Sequence, residues 1–226
     1  VYAGNGIKVY LHKDVCPVPI LSFSVRNLGT AAGVMVTASH NPKEYNGYKA
    51  YGSDGAQLSP EDSKIVLDII GKYDDYTRLP VYDFDALKAD GIIEIVGDSI
   101  YEAYFTEIKK LVADKETLDK TAGNLKLVYT PVHGAGAKFI PGLLESLGFK
   151  QLFCVEPQMI HDGNFPTVAV PNPEDKGIYT LAIEIAEKNE ANLILASDPD
   201  ADRTGVAVRN KAGEYVLLTG NQIGIL

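Results

Sequence analysis

The sequence predicts an α/β protein made of two consecutive units, and three observations carry that prediction. Between residues 125 and 196, apolar runs and helical stripes alternate in the order strand, helix, strand, helix, strand, the pattern of a doubly wound sheet. Two compact apolar runs, Ala32 to Thr37 and Leu193 to Ala196, each lead directly into a polar loop; in open α/β sheets ligands gather at that end of a strand. A length of 226 residues suits one large or two small domains with real cores.

Composition narrows the function classes. With 46% hydrophobic and 23% charged residues the chain is expected to fold rather than stay disordered. Its 21 Lys and Arg against 30 Asp and Glu leave a net charge of −9, which argues against a broad electrostatic grip on nucleic acid or on an anionic membrane. Cys16 and Cys154 are far apart, with no Cys or His at metal-ligand spacing, so neither a zinc site nor a disulfide framework is supported and a reducing cytoplasm is expected. No apolar run approaches the length of a bilayer span, and no charged-then-apolar export signal opens the chain. Val1 in place of Met, and Leu226 inside what reads as the first turns of a helix, are what an excised piece of a longer polypeptide would show. Oligomeric state is not legible.

Taken in order, Ile7 to Leu11 reads as a strand and Pro17 to Leu28 as a helix opened by proline and stopped by Gly29. Ala32 to Thr37 reads as a strand buried on both faces. Tyr48 to Tyr51 is a further short strand, leaving through the turn Gly52-Ser53-Asp54-Gly55. Ser59-Pro60-Glu61-Asp62 offers an oxygen-bearing cap, proline at the first position and acids in the first turn, for a helix reaching Lys72. The acidic segment Asp74 to Asp98, with a strand over Ile92 to Val96, reads as the edge of a first unit over 1–97. Asp98 to Glu116 carries a one-face stripe of Ile100, Tyr104, Ile108, Leu111 and Val112. There the aromatics Tyr101, Tyr104 and Phe105 read as packing. The second unit, 98–211, then runs strand Leu125 to Thr130, helix Lys138 to Leu147, strand Gln151 to Val155, helix Lys176 to Lys188 and strand Asn192 to Ala196.

Two loops carry chemistry. Thr37-Ala38-Ser39-His40-Asn41-Pro42, followed by Asn46-Gly47-Tyr48-Lys49, sets a hydroxyl, an imidazole, a carboxamide and an amine close together past an apolar run. By itself this reads first as a polar turn in which Ser39 and Asn41 bond nearby backbone, and a second feature is needed to overturn that reading. The second loop, Ser197-Asp198-Pro199-Asp200-Ala201-Asp202-Arg203, places three carboxylates at alternate positions. Neighbouring charges at ~6 Å repel by about 1 kcal/mol or less in water, and more at lower dielectric; a hard divalent cation removes that cost. An EF-hand loop is excluded, since counting from Asp198 the sixth position is Arg203 and the twelfth Arg209. A strand followed by Asp-x-Asp also fits a phosphatase that forms an aspartyl phosphate on Asp198. A non-catalytic metal- or anion-binding α/β module is a third reading. Thr130 to Gly136 could turn backbone amides toward an anion, but Phe139 occupies the third small position of a dinucleotide fingerprint. His133 there reads equally as a packed or a functional histidine. Pro171-Asn172-Pro173-Glu174 reads as a rigid loop whose Glu174 opens the next helix.

Together, TASHNP at Thr37 to Pro42, NGYK at Asn46 to Lys49 and DPDADR at Asp198 to Arg203 resemble the α-D-phosphohexomutases, the phosphoglucomutase and phosphomannomutase superfamily. The resemblance extends to PVHGAG, PNPE and the terminal LLTGNQIGIL, and YGSDGAQL after Lys49 is most like the phosphoglucomutase branch with phosphopentomutase-type members. It implies two consecutive three-layer α/β/α domains with mixed, largely parallel sheets, plus the start of a third over 212–226. Ser39 would be the phosphoserine, and Ser39, Asp198, Asp200 and Asp202 the ligands of one Mg²⁺. His40 and Lys49 would lie close to the transferring group as catalytic and substrate-binding residues, with Asp202 and Arg203 also touching the phosphosugar. The implied reaction interconverts hexose 1-phosphate and hexose 6-phosphate, glucose foremost, through a hexose 1,6-bisphosphate that also serves as activator. The family's sugar-recognition and phosphate-binding loops would fall outside this chain, which is therefore expected to bind metal and to have little mutase activity alone.

Overall fold

The computed structural model describes residues 1–73, 79 and 82–226. The stretch of the acidic segment at 74–78, 80 and 81 lies outside the described residues.

In the first unit, β1 (Val9–His12) pairs in parallel with β4 (Ile93–Val96). β2 (Ala32–Val36) pairs antiparallel with β3 (Tyr48–Gly52), Met35 opposite Lys49. Helix α1 (Val18–Leu28) has proline in its first turn and ends on Gly29 at φ 63°, a left-handed cap that glycine adopts without Cβ strain. Helix α2 (Pro60–Ile70) starts on Ser59, whose side chain accepts from the Asp62 N–H. The expected two-sided burial of the Ala32 strand is not found: Val36 is 65% exposed, because among the described residues β2 has one strand partner and one face covered by α1. Gly33 permits that cover, since a Cβ there would meet Val25 Cγ2 at 2.5 Å.

A short helix α3 (Phe84–Ala89), capped by Asp83 accepting from the Ala86 N–H, was not expected from the sequence. The single helix expected over Asp98 to Glu116 is two: α4 (Asp98–Lys109) and α5 (Lys115–Thr121). Asp114 starts the second by accepting from the Thr117 N–H, and Leu111 at the break is 74% exposed, so the apolar stripe ends with α4.

The second unit holds a five-stranded mixed sheet in the order β6–β5–β7–β8–β9. Its strands are β5 (Lys126–Thr130), β6 (Gln151–Cys154), β7 (Leu193–Ser197), β8 (Thr204–Arg209) and β9 (Tyr215–Leu217). β5 is parallel to both β6 and β7, as the βαβαβ reading requires, while β8 and β9 turn back antiparallel. Strand β9 lies in the stretch expected to open a third unit, so the sheet continues past residue 211. Helix α6 (Gly136–Ser146) and helix α7 (Thr180–Asn189) complete the crossovers, the latter preceded by a 3₁₀ turn, Lys176–Tyr179. Asp175, not Glu174, caps that turn by accepting from the Gly177 N–H. A last helix α8 (Gly220–Ile225) opens with a capping box between Thr219 and Gln222. The core under the sheet joins Val128, Ile194 and Ala196 to Ile178, Ala182 and Ala186.

The two units share a junction. Cys16, just before α1, and Ile20 within it pack with Tyr101 of α4 and Phe139 of α6, the two rings meeting edge-on at 4.9 Å. As the sequence suggested, Tyr101, Tyr104 and Phe105 pack within this cluster. Ion pairs Lys13–Asp98 at 2.7 Å and Lys138–Asp14 at 2.6 Å flank it, and the Val18 N–H at the start of α1 donates to the Asp200 carbonyl at 2.9 Å. That last bond docks the first unit directly onto the acidic loop.

Candidate functional site

The acidic loop is a hairpin loop. β7 and β8 are paired up to Ser197 opposite Thr204, so residues 198–203 must turn within the space between two adjacent strands, and alternate side chains converge. One ligand oxygen from each of Asp198, Asp200 and Asp202 lies within 4.8 Å of the others. Asp198 is fully buried, its Oδ1 accepting from the N–H groups of Asp202 (3.1 Å) and Arg203 (3.0 Å). The Ala135 N–H donates to the Pro199 carbonyl at 2.7 Å. A Cβ on Gly134 would fall 2.3 Å from Pro199 Cα, so only glycine lets PVHGAG lie this close. That loop is therefore a buttress. Its amides at 133, 134 and 135 are spent on the carbonyls of Gln158, Pro131 and Pro199 rather than turned to an anion. His133 is packed, with Nδ1 on the Ile160 carbonyl at 2.9 Å and Nε2 on Thr167 Oγ1 at 2.8 Å.

The serine loop arrives from the other side. Thr37 N–H donates to the Gly47 carbonyl at 3.0 Å, closing the excursion from β2 to β3 and bringing Lys49 of β3 beside Ser39. Ser39 has φ 54°, a left-handed conformation that costs a non-glycine residue of order 1 kcal/mol. Its N–H is taken up by Thr37 Oγ1 at 2.9 Å. Ser39 Oγ then sits 3.2 Å from Asp198 Oδ2, 3.4 Å from Asp200 Oδ1 and 3.2 Å from His40 Nδ1. The two expected halves of the site thus meet, far inside the ~10 Å beyond which one cation could not touch both.

Each buried carboxylate has one oxygen tied and one aimed at Ser39. For Asp200 the tied atom is Oδ2, which accepts from Thr37 Oγ1 at 3.2 Å and Lys49 Nζ at 2.8 Å. Lys49 also reaches Asp202 Oδ2 at 3.0 Å. The electrostatics follow. Burial first, and the charge of Asp200 second, push the Asp198 carboxyl up to about 7. Burial works the same way on Asp200 and is the largest single influence, but the hydrogen bonds from Lys49, Asp198 and Thr37 and the charge of Lys49 together outweigh it and hold that carboxyl below the usual range. Burial would lower Lys49, yet its bonds to Asp200 and Asp202 keep it above its ordinary value and therefore charged. Burial and then the charge of Arg203 hold His40 below the ordinary histidine value, against the pull of Asp200 and Asp202; it is neutral at pH 7.

These residues fit a hard divalent cation. Hard oxygen donors converge, and the charge of Asp198 is met by two backbone N–H groups rather than by a cationic side chain. Asp202 and Arg203 are exposed at the open edge of the site. The free Oδ2 of the fully buried Asp198 faces Ser39 Oγ rather than solvent, which disfavours the aspartyl-phosphate reading. The sequence did not single out the hydroxyl of Thr37, the buttress at Gly134 and Ala135, or the Val18 N–H. A threonine two residues before a serine that must turn sharply was the one available sign.

Comparison with known proteins covers both units. Residues 1–77 match the family description "Phosphoglucomutase/phosphomannomutase, alpha/beta/alpha domain I" and residues 102–213 match domain II of the same family. The chain is 41% identical over 227 aligned residues to a phosphoglucomutase of Staphylococcus aureus (strain USA300), and 38% identical over 226 to one of Staphylococcus saprophyticus. Both alignments take in all of this chain and 40% of the relative. Among solved structures, one from Thermus thermophilus named as a phosphomannomutase superposes with a TM-score of 0.72 at 28% identity, covering 94% of this chain and 44% of that one. A family protein from Burkholderia thailandensis, at 23% identity and TM-score 0.61 over 92% of this chain and 42% of its own, shares the fold.

Proposed function

The chain belongs to the phosphoglucomutase/phosphomannomutase family, and on that premise we propose that it carries the phosphoryl-transfer half of a phosphohexomutase. Ser39 is the phosphoryl carrier; the substrate is a hexose monophosphate, glucose foremost, and a hexose 1,6-bisphosphate is both intermediate and activator. The chain spans 40% of the length of the curated relatives it matches, so the full interconversion is proposed for a protein of their length, working in the cytoplasm. For the 226 residues alone the expectation is metal binding with little mutase turnover. The observation that carries this reading is the aim of the free oxygens of Asp198 and Asp200 at Ser39 Oγ, at 3.2 and 3.4 Å.

Asp198, Asp200, Asp202 and the Ser39 phosphate would hold Mg²⁺. When bound, the ion offsets the carboxylates and the phosphate of about −1.5 to −2 charge, and polarises the phosphoryl group. The side chains of this chain do the rest. Lys49, kept charged by Asp200 and Asp202, stabilises negative charge on the phosphoryl oxygens in transfer. Neutral His40, with Nδ1 at 3.2 Å from Ser39 Oγ, takes the proton of the attacking sugar hydroxyl and passes it to Ser39 Oγ as the Ser39 O–P bond breaks and the sugar O–P bond forms. On return it takes the Ser39 hydroxyl proton and gives it to the departing sugar oxygen. Arg203, exposed beside the site, binds substrate phosphate or hydroxyl groups as a planar, permanently charged fork.

The test is to incubate the chain with Mg²⁺ and glucose 1,6-bisphosphate and read the intact mass. Wild type is expected to gain one phosphoryl group that resists hydroxylamine, and Ser39→Ala to gain none. Label that survives in Ser39→Ala, or that hydroxylamine removes, would overturn the assignment of Ser39.

A further inference from the structure

We infer that Thr37 is a positioning residue that sets the nucleophile and one cation ligand with a single hydroxyl; this rests on the metal and phosphoserine reading above. Thr37 Oγ1 accepts from the Ser39 N–H at 2.9 Å and donates to Asp200 Oδ2 at 3.2 Å, a bond across 163 residues of chain. A hydroxyl has one proton and two lone pairs, so both roles are filled at once. The first bond holds Ser39 at φ 54°, a backbone a serine does not adopt without help. The second, with Lys49 at 2.8 Å, saturates Oδ2 and leaves Oδ1, the atom 3.4 Å from Ser39 Oγ, free for the cation. Lys49 alone does not do this, because its ammonium is shared with Asp202 at 3.0 Å and is a point charge on a flexible stem without a fixed donor geometry. A turn that only closed the loop would need the first bond and not the second, since the loop is already closed by the Thr37 N–H and the Gly47 carbonyl.

The inference is tested on the 226-residue chain by titrating Mn²⁺, used in place of Mg²⁺, and following the free ion by electron paramagnetic resonance. Valine preserves the branched shape and removes the hydroxyl; serine preserves the hydroxyl. Thr37→Val is expected to weaken Mn²⁺ binding on the order of ten- to a hundredfold, and Thr37→Ser to return it to within about threefold of wild type, as outer hydrogen-bond partners of ligating carboxylates do. Adding Thr37→Val to Asp200→Asn is expected to cost much less than it does in wild type, because the two act through one carboxylate. If Thr37→Val does not fold, Thr37→Ala takes its place with Thr37→Ser again as the rescue. Unchanged Mn²⁺ binding in the hydroxyl-free variant, or equal weakening in Thr37→Ser, overturns the inference while leaving the metal site standing. A wild-type chain that binds no Mn²⁺ overturns both.

Discussion

The loops at the ends of β2 and β7 hold the two halves of one site in opposite ways. The acidic loop grows from a strand at the centre of a five-stranded sheet, and its backbone is pinned from three sides: by β8, by Ala135 on the Pro199 carbonyl and by Val18 on the Asp200 carbonyl. The serine loop grows from a strand with one partner and an exposed face, and a left-handed Ser39 is held there chiefly by a neighbouring hydroxyl. The difference follows from what each half must tolerate. Three carboxylates gathered together, two of them buried, repel one another, so they stay together only on a backbone that cannot relax. A serine in the proposed role of phosphoryl carrier would need access to solvent and substrate, and Ser39 gets its geometry from a few polar contacts instead of a core.

The largest expected effect breaks the rigid half without moving it. Asp200→Asn keeps the shape and the hydrogen-bond reach to Thr37 and Lys49 but removes a charge from the cation's ligands. It is expected to weaken Mg²⁺ or Mn²⁺ binding by about a hundredfold while thermal unfolding of the metal-free chain stays within a few degrees of wild type. Unchanged metal titration would remove Asp200 from the ligand set.

A smaller effect sharpens the same contrast through pH. Asp198 is held up to about 7 against an ordinary carboxylate value of 3.8, so between those values the folded chain binds a proton that the unfolded chain has lost. Its contribution to metal-free stability is therefore present at about pH 4 and falls as pH rises to about 7. Urea unfolding at about pH 4.5 and about pH 7.5, taken as wild type minus Asp198→Asn, is expected to show that fall; saturating Mg²⁺ is expected to flatten it. A wild-type advantage over Asp198→Asn that grows toward the higher pH without metal would contradict the burial assigned to this group.

The same contrast decides how much of the molecule was legible in its sequence. Both site loops could be found because each follows a compact apolar run, because alternating acids beside Pro199 are a costly pattern without a ligand, and because the serine loop, by itself a polar turn, gains meaning beside them. The parallel core β5, β6 and β7 was legible for the same reason, as apolar runs separated by helical stripes. What failed depended on distant partners. β8 and β9 were not read as strands from the sequence; they take that form by pairing back antiparallel, β8 on β7 and β9 on β8. The exposure of Val36 reflects which strands lie beside β2, and an apolar run does not state its neighbours. The break between α4 and α5 is set by the local cap at Asp114, which overrode a stripe that looked continuous. The hydroxyl of Thr37 was invisible as a linker, since its second partner lies 163 residues away.

Cation affinity before and after Ser39 is phosphorylated asks most directly whether the two loops form one site. If the free oxygens of Asp198 and Asp200 and the serine oxygen address the same ion, phosphorylation adds a dianionic ligand to a fixed set of carboxylates. Mn²⁺ binding to the chain should then tighten by at least about tenfold, and the gain should vanish in Asp200→Asn. Equal affinity in the two states, with the carboxylates still binding metal, would show that Ser39 and the acidic loop are neighbours that do not share an ion.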